Sequence, residues 1–115
     1  MHEERRRVSR FQLTAAAEVV EEESGTRSIA YVTNLSLHGC TLGATRPPLQ
    51  GVTIHIEIVT GGESFQSRAT VAHSHAHSAG LTFQDVQPQS LVVLRRLLVT
   101  AMREQQRSEE GGESL

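Results

Sequence analysis

The sequence predicts a mainly β domain with one C-terminal helix, and three observations support this prediction. Six short segments between residues 11 and 83 have the composition of strands, and turn residues separate them. After Pro88 the apolar residues recur at intervals of three and four, which is typical of a helix. The 115 residues suffice for a single domain with one modest core. Six short strands at this spacing favour an antiparallel barrel or sandwich over a parallel sheet.

The first two strands are predicted to form a hairpin. Residues 11–20 alternate apolar and polar side chains, although the three consecutive alanines among them could also begin a helix. The pair Val19 and Val20 and the turn at Ser24 and Gly25 favour the strand. The second strand is predicted at residues 29–33.

The remaining four strands are predicted between residues 39 and 83. The chain is predicted to leave the second strand at residues 34–38 and to resume a strand at residues 39–42. Proline fixes φ and glycine permits positive φ, so the prolines at 47 and 48 with Gly51 predict a rigid turn. The last three strands are predicted at residues 52–59, 65–73 and 80–83, with a hairpin turn at Gly61 and Gly62.

The helix is predicted at about residues 89–105, with Pro88 just before its start and Ser90 as its cap. Residues 1–10 are charged without periodicity and are predicted to form a flexible arm, and the polar, glycine-rich residues 106–115 a disordered tail. The barrel with its helix then occupies residues 11–105. The predicted buried face of the helix consists of Leu91, Leu94, Leu97, Leu98, Ala101 and Met102.

Composition excludes several classes of function. No apolar run approaches the roughly 20 residues that span a bilayer, and no apolar segment follows the charged N-terminus as in a secretory signal. Cys40 is the only cysteine, which fits a reducing cytoplasm and leaves no thiolate zinc site. Lysine is absent and aromatic residues are few, which argues against a DNA or RNA groove. We find no arrangement of residues typical of catalysis, so the sequence predicts no enzyme.

Arginine is concentrated at the start of the chain. Four of the eleven basic residues, all of them arginine, lie within six positions: Arg5, Arg6, Arg7 and Arg10. The planar guanidinium pairs bidentately with phosphate or a guanine edge and stacks on flat rings. Because the net charge is -2, this local cluster favours one small anionic ligand over bulk nucleic acid. The alternative is a solvated charged tail balanced by neighbouring glutamates.

A second segment, NLSLHG at residues 34–39, carries an amide, a hydroxyl and a glycine. Together the two segments resemble the PilZ domain family, whose signature is R-x-x-x-R followed by [D/N]-x-S-x-x-G some twenty to thirty residues later. Arg6 and Arg10 match the first motif, and Asn34, Ser36 and Gly39 match the second. The resemblance continues through the PPLQG turn, the GLTF strand and the closing helix, so it covers nearly the whole chain.

The resemblance implies a six-stranded antiparallel barrel of PilZ type with one C-terminal helix. It also implies binding of the bacterial second messenger cyclic di-GMP and relay of its level to an unidentified protein effector. Arg6 and Arg10 would contact bases and phosphates, with Arg5 and Arg7 beside them. In the family the Asn position reads the guanine edge, Ser helps to hold it and Gly allows close backbone approach, which assigns these roles to Asn34, Ser36 and Gly39. The settings implied are motility, adhesion or exopolysaccharide control.

Two details follow from the resemblance. PilZ domains bind one cyclic di-GMP or an intercalated pair, and in the family the residue just before R-x-x-x-R biases that choice. Arg5 holds this position and adds a flat cation that can stack on the extra guanines, so we expect two ligands per chain.

Asn34 replaces a carboxylate acceptor with an amide, which weakens acceptance from the guanine N1–H and N2–H donors.

Alternatives remain for each candidate site. Asn and Ser before Gly are ordinary turn residues that satisfy their own backbone, so the second motif also has a purely structural interpretation. His73, His75 and His77 share one face of a strand end, where a solvent-facing row is favoured over a metal site because no second shell is evident. A third interpretation has His73 or His75 stack on a base near the arm. Two rival functions are therefore a PilZ-like adaptor that binds no nucleotide and a histidine-based metal-binding module.

Overall fold

The computed structural model describes residues 9–113. They form a closed barrel in which every pair of neighbouring strands is antiparallel, in the order β1-β2-β3-β6-β5-β4, followed by one helix. This architecture confirms the predicted fold class. The elements are β1 (Phe11–Glu21), β2 (Arg27–Leu35), β3 (Gly39–Gly43), β4 (Thr53–Thr60), β5 (Glu63–Ser74), β6 (Ser78–Gln84) and α1 (Pro88–Glu113).

The hairpin between β4 and β5 shows how turn residues set the register. Thr60 pairs with Glu63, which leaves Gly61 and Gly62 as a two-residue loop. Both glycines have positive φ, 57° and 80°. A two-residue hairpin with two positive φ values is a type I′ turn, whose twist matches that of the flanking strands. The predicted turn at these glycines is therefore confirmed.

The core fills the interior of the barrel with aliphatic side chains. Phe65 and Phe83 supply its aromatic part, with ring centroids 5.0 Å apart and planes inclined by 60°. Since alternate residues of a strand face opposite sides of a sheet, each strand contributes every second residue to this interior. The largest side chains that are fully buried include Phe65, Leu35, Leu42, Ile54, Ile56, Ile58 and Leu94.

The helix α1 packs against β1 and β5. Leu94, Leu97 and Ala101 are buried, as predicted for its apolar face, but Met102 is 37% exposed and does not belong to that face. The predicted N-terminal cap is also wrong. Pro88 is the first helical residue, and the Leu91 N–H donates to the carbonyl of Gln87 over 2.9 Å, so the helix begins immediately after Gln87 and Ser90 lies inside its first turn.

The helix runs to Glu113, whereas the sequence predicts its end near residue 105 and a disordered tail at residues 106–115. The correction has a simple cause. Loss of apolar residues after position 105 ends the packing pattern, but Gln, Arg and Glu remain good helix formers, so the backbone can continue. Along the described residues, no helix is long and apolar enough to cross a membrane.

Candidate functional site

A bulge in β2 determines where Asn34 points. Val32 pairs with Leu42 of β3 and Asn34 pairs with Thr41, so Thr33 is an extra residue without an opposite partner. Strict alternation would turn Asn34 to the same inward side as Val32. Because of the bulge, Thr33 and Asn34 both lie outside the core, and Leu35 returns to it, fully buried. Asn34 is thus the second-last residue of a strand, not the first residue after one.

The guanidinium of Arg10 lies against Asn34 on this outer face. Its Nη1 donates to Oδ1 of Asn34 over 3.2 Å and to Oγ1 of Thr41 over 3.3 Å. Among the described residues, its other nitrogens donate no hydrogen bond. Arg10 is exposed, and a guanidinium has five N–H donors in a fork. The arrangement therefore leaves the side chain free to pair with a planar or anionic group from solvent.

Thr41 is a neighbour of Arg10 in the candidate site that sequence reasoning missed. Its neighbours Cys40 and Leu42 are buried, so alternation alone places Thr41 on the outer face of β3. Its position beside Asn34 depends on the register across the bulge, which the sequence does not reveal. The contact with Arg10 is then a consequence of pairing between β2 and β3.

Ser36 and Gly39 shape the turn that follows Asn34. The Ser36 N–H donates to the Gly39 carbonyl over 2.8 Å, and the Ser36 hydroxyl donates to the same oxygen over 3.1 Å. The hydroxyl oxygen also accepts from the Gly39 N–H over 3.2 Å. Ser36 is only 2% exposed, so its hydroxyl serves the turn and not the surface. Leu37, two residues after the fully buried Leu35, is 41% exposed.

Gly39 is required by the close approach of β3 to β6. A Cβ added at this position would overlap the carbonyl group of Leu81. No side chain fits there unless the backbone of β6 moves. The glycine of the second motif therefore has a packing role in the fold, whatever it does for a ligand.

Cys40 lies directly beneath the site. Burial raises the pKa of its thiol to about 12, and the positive charge of Arg10 opposes this shift. The thiol is therefore protonated at neutral pH and behaves as a small apolar core residue. The side chain of Cys40 is only 1% exposed.

Arg5, Arg6 and Arg7 lie outside the described residues. Of the residues predicted to form the site, the structure brings Arg10 and Asn34 together at the surface and places Ser36 and Gly39 in the turn beside them.

The histidine row lies at the end of β5 and in the loop after it. His73, His75 and His77 are all exposed, and the rings of the first two are 5.3 Å apart at a tilt of 48°. Within the part of the chain that the structure describes, no group of three or more metal-ligating side chains comes together.

A second polar cluster lies on the opposite side of the barrel. Glu22 accepts hydrogen bonds from Arg68 over 3.1 Å and interacts with His55 over 3.1 Å. These two partners, with Arg68 first, hold the pKa of the Glu22 carboxyl below its usual value. A groove of about 430 Å³ runs past His55 and Arg68 to the first turn of α1. Sequence reasoning did not find this cluster, because its members come from β4, β5 and the turn after β1.

The fold and the paired motifs identify the family. The family model of the PilZ domain matches residues 4–100, and the chain belongs to the PilZ domain family. The resemblance drawn from Arg6, Arg10, Asn34, Ser36 and Gly39 is therefore confirmed at the level of the family. No curated protein sequence is similar enough to match this chain.

Solved structures share the fold at low identity. The PilZ domain with c-di-GMP of YcgR from Escherichia coli matches with a TM-score of 0.74 and 17% identity, covering 92% of this chain and 98% of that domain. The PilZ domain of CeSA from a cellulose-synthesizing bacterium matches with a TM-score of 0.68 and 17% identity, covering 80% and 96%. YcgR in complex with c-di-GMP, also from Escherichia coli, matches with a TM-score of 0.72 and 19% identity over 93% of this chain and 50% of that one.

Proposed function

We propose that this chain binds cyclic di-GMP on the outer surface of its barrel and relays the level of that nucleotide to a partner protein. The observation that carries the proposal is the contact between Arg10 and Asn34, which joins one residue from each motif at a single exposed surface. Similar structures are PilZ domains with c-di-GMP, which supports this choice of ligand.

Arg10 has the chemistry that such a ligand requires. Cyclic di-GMP carries two phosphates and two guanines, and guanine O6 and N7 together accept two parallel hydrogen bonds from one guanidinium fork. Arg10 uses a single nitrogen for its contacts with Asn34 and Thr41. The remaining donors can meet a guanine edge or a phosphate while those contacts hold the side chain in place.

Asn34 supplies the complementary acceptor. Its Oδ1 has two lone pairs, and Arg10 uses one of them over 3.2 Å. The other can accept from the guanine N1–H or N2–H. Ser36 and Gly39 contribute indirectly, because their mutual hydrogen bonds fix the turn that follows Asn34.

The arm at residues 1–10 completes the proposed site. Arg5, Arg6 and Arg7 would close over a ligand that the barrel displays, at a cost in conformational entropy. With Arg5 stacking on the extra guanines, two ligands bind per chain. The chain performs no catalysis, acts in the cytoplasm and passes its signal through a protein effector, in control of motility, adhesion or exopolysaccharide synthesis.

A second candidate is a PilZ-like adaptor that binds no nucleotide and works by protein contact. The observation that favours it is a cross-strand row on the outer surface of β2, β1 and β4, where Tyr31 pairs with Ala16 and Ala16 with Val59. Tyr31 and Val59 are each about half exposed, at 52% and 51%. Exposed apolar rows of this kind mark contact surfaces when they are contiguous.

Calorimetric titration with cyclic di-GMP and, in parallel, with cyclic di-AMP separates the two candidates. Adenine lacks the O6 acceptor and the N2–H donors that Arg10 and Asn34 would use, so the receptor should bind the guanine ligand at least tenfold more tightly. Arg10→Ala should abolish that preference, whereas Arg95→Ala, an exposed helix arginine, should not. Absence of heat with either ligand would favour the adaptor.

A further inference from the structure

The outer face of β3 and β6 carries almost no side-chain bulk. The register pairs Gly39 with Thr82, Thr41 with Gly80 and Gly43 with Ser78, while the residues between them, such as Cys40 and Leu81, point into the core. We call this surface the glycine floor; its residues are Gly39, Thr41, Gly43, Ser78, Gly80 and Thr82. Thr41, which contacts Arg10, lies in its middle row.

A single ring projects from β5 onto this floor. A Cβ added at Gly80 would overlap the His73 imidazole, so the ring occupies the space that a side chain at Gly80 would need. A bulge in β5 makes this possible. Val71 pairs with Leu81 and His73 with Gly80, so Ala72 is an extra residue and His73 turns outward instead of following Val71 into the core.

His73 belongs to the same cross-strand row as Asn34. The row runs from Asn34 to Thr41, from Thr41 to Gly80 and from Gly80 to His73. Neighbouring strands lie about 4.8 Å apart, so the imidazole over Gly80 is about one strand spacing from Thr41. Two bulges, one in β2 and one in β5, therefore turn the two ends of this row to the outside together.

We propose that His73 is a further ligand-contact residue, whose imidazole stacks on a guanine of the nucleotide held by Arg10 and Asn34. This inference rests on the proposed function and extends its site from β2 across the glycine floor to β5. The ring is exposed and flat. The Tyr31 ring covers Gly43 at one end of the floor, whereas Thr41 and Thr82, the floor residues beside Gly80, carry only short side chains that leave room for a planar base against the barrel. The His75 ring, 5.3 Å from that of His73, limits the positions that His73 can adopt.

The test is a calorimetric titration of the full chain with cyclic di-GMP. His73→Ala should weaken binding about tenfold, or about 1.4 kcal/mol, which lies within the range measured for stacking of a base on an aromatic ring. His73→Phe keeps a flat ring and should bind within about threefold of the unsubstituted chain. His77→Ala is the matched control, since His77 is exposed in the loop after β5, and should leave the affinity unchanged.

Melting temperatures of all variants check folding, and His73→Gln, which removes the ring but keeps a polar chain, should reproduce the loss in His73→Ala. Unchanged affinity in His73→Ala would overturn the inference. So would an equal loss in His77→Ala, or a His73→Phe variant as weak as His73→Ala. If the unsubstituted chain binds no cyclic di-GMP, the proposed function fails and this inference fails with it; if that chain binds and His73→Ala binds equally well, only this inference fails.

Discussion

Nη1 of Arg10 lies 3.2 Å from Oδ1 of Asn34, a contact between residues 24 positions apart. It joins the residue that precedes β1 to the end of β2, and Thr41 of β3 receives a second hydrogen bond from the same nitrogen over 3.3 Å. Two short motifs that are separate in the sequence therefore form one surface. That surface combines a cationic donor with an amide acceptor, which is the complement of a guanine edge.

Substitution of Asn34 tests which group reads the guanine. Asn34→Asp restores a carboxylate acceptor, and a hydrogen bond to a charged group is stronger than a neutral one by on the order of 1 kcal/mol. We expect Asn34→Asp to bind cyclic di-GMP about fivefold more tightly by calorimetry, and Asn34→Ala to bind more weakly than the unsubstituted chain. Weaker binding by Asn34→Asp would show that the amide N–H₂ group, and not the acceptor, contacts the ligand.

Two glycines provide a contrast between a rigid and a movable neighbour. An added Cβ at Gly39 would overlap the backbone of Leu81, whereas one at Gly80 would overlap the exposed side chain of His73. Gly39→Ala should lower the free energy of unfolding by about 1–3 kcal/mol, the usual cost of overpacking. Gly80→Ala should lower the free energy of unfolding by less, because the imidazole of His73 can turn away. Urea denaturation of both variants measures this difference, and equal losses would contradict the packing role given to Gly39.

The strands and the helix could be predicted from the sequence because they depend on local pattern. Alternation revealed the faces of β1 and β4, and the glycine pair at 61 and 62 revealed the turn between β4 and β5. The core positions of α1 followed from its spacing, except for Met102. The helix end was missed because the predicted end followed the loss of apolar residues, while Glu, Gln and Arg, which are good helix formers, dominate residues 104–110 and the helix runs to Glu113.

The candidate site could be predicted only in part, since its geometry depends on long-range register. The motifs identified Arg10 and Asn34, but the bulge at Thr33 that turns Asn34 outward leaves no local signal. Thr41 becomes a neighbour of Arg10 only through strand pairing. Ser36 looks like a surface turn residue in the sequence, and its burial at 2% exposure follows from how the turn closes on the barrel.

The cluster at Glu22 predicts how the stability of the fold changes at acidic pH. Hydrogen bonds from Arg68 and then His55 hold the pKa of the Glu22 carboxyl below its ordinary value. A carboxyl whose pKa is lower in the folded state stabilises the fold above its unfolded pKa, and this contribution is lost as the pH falls through the folded pKa. Glu22→Gln should therefore reduce the melting temperature near neutral pH and lose that effect as the pH falls through the lowered pKa of the folded state. The neighbouring exposed Glu23→Gln is the control, and a similar pH-dependent loss there would contradict the assignment.

Substitution of Arg5 tests how many ligands bind per chain. In the proposed function, Arg5 holds the position expected to bias between a single cyclic di-GMP and an intercalated pair, because a guanidinium there can stack on the extra guanines. We expect two ligands per chain at saturation, and Arg5→Leu should lower the ratio toward one while retaining binding. The ratio comes directly from calorimetry at saturating ligand. A clean ratio of one in the unsubstituted chain would remove the stacking role from Arg5 and leave the site itself intact.

The most direct test of the central claim is the affinity of the Arg6→Ala, Arg10→Ala double variant for cyclic di-GMP, measured by calorimetry beside the unsubstituted chain and the double control Arg95→Ala, Arg103→Ala. Each charge-assisted hydrogen bond contributes about 1.5–3 kcal/mol, so loss of both arginines should weaken binding by at least a hundredfold. The control removes two exposed arginines from α1 and should keep the original affinity. Binding by the Arg6, Arg10 variant as tight as that of the unsubstituted chain would contradict recognition of the nucleotide through the arm and Asn34.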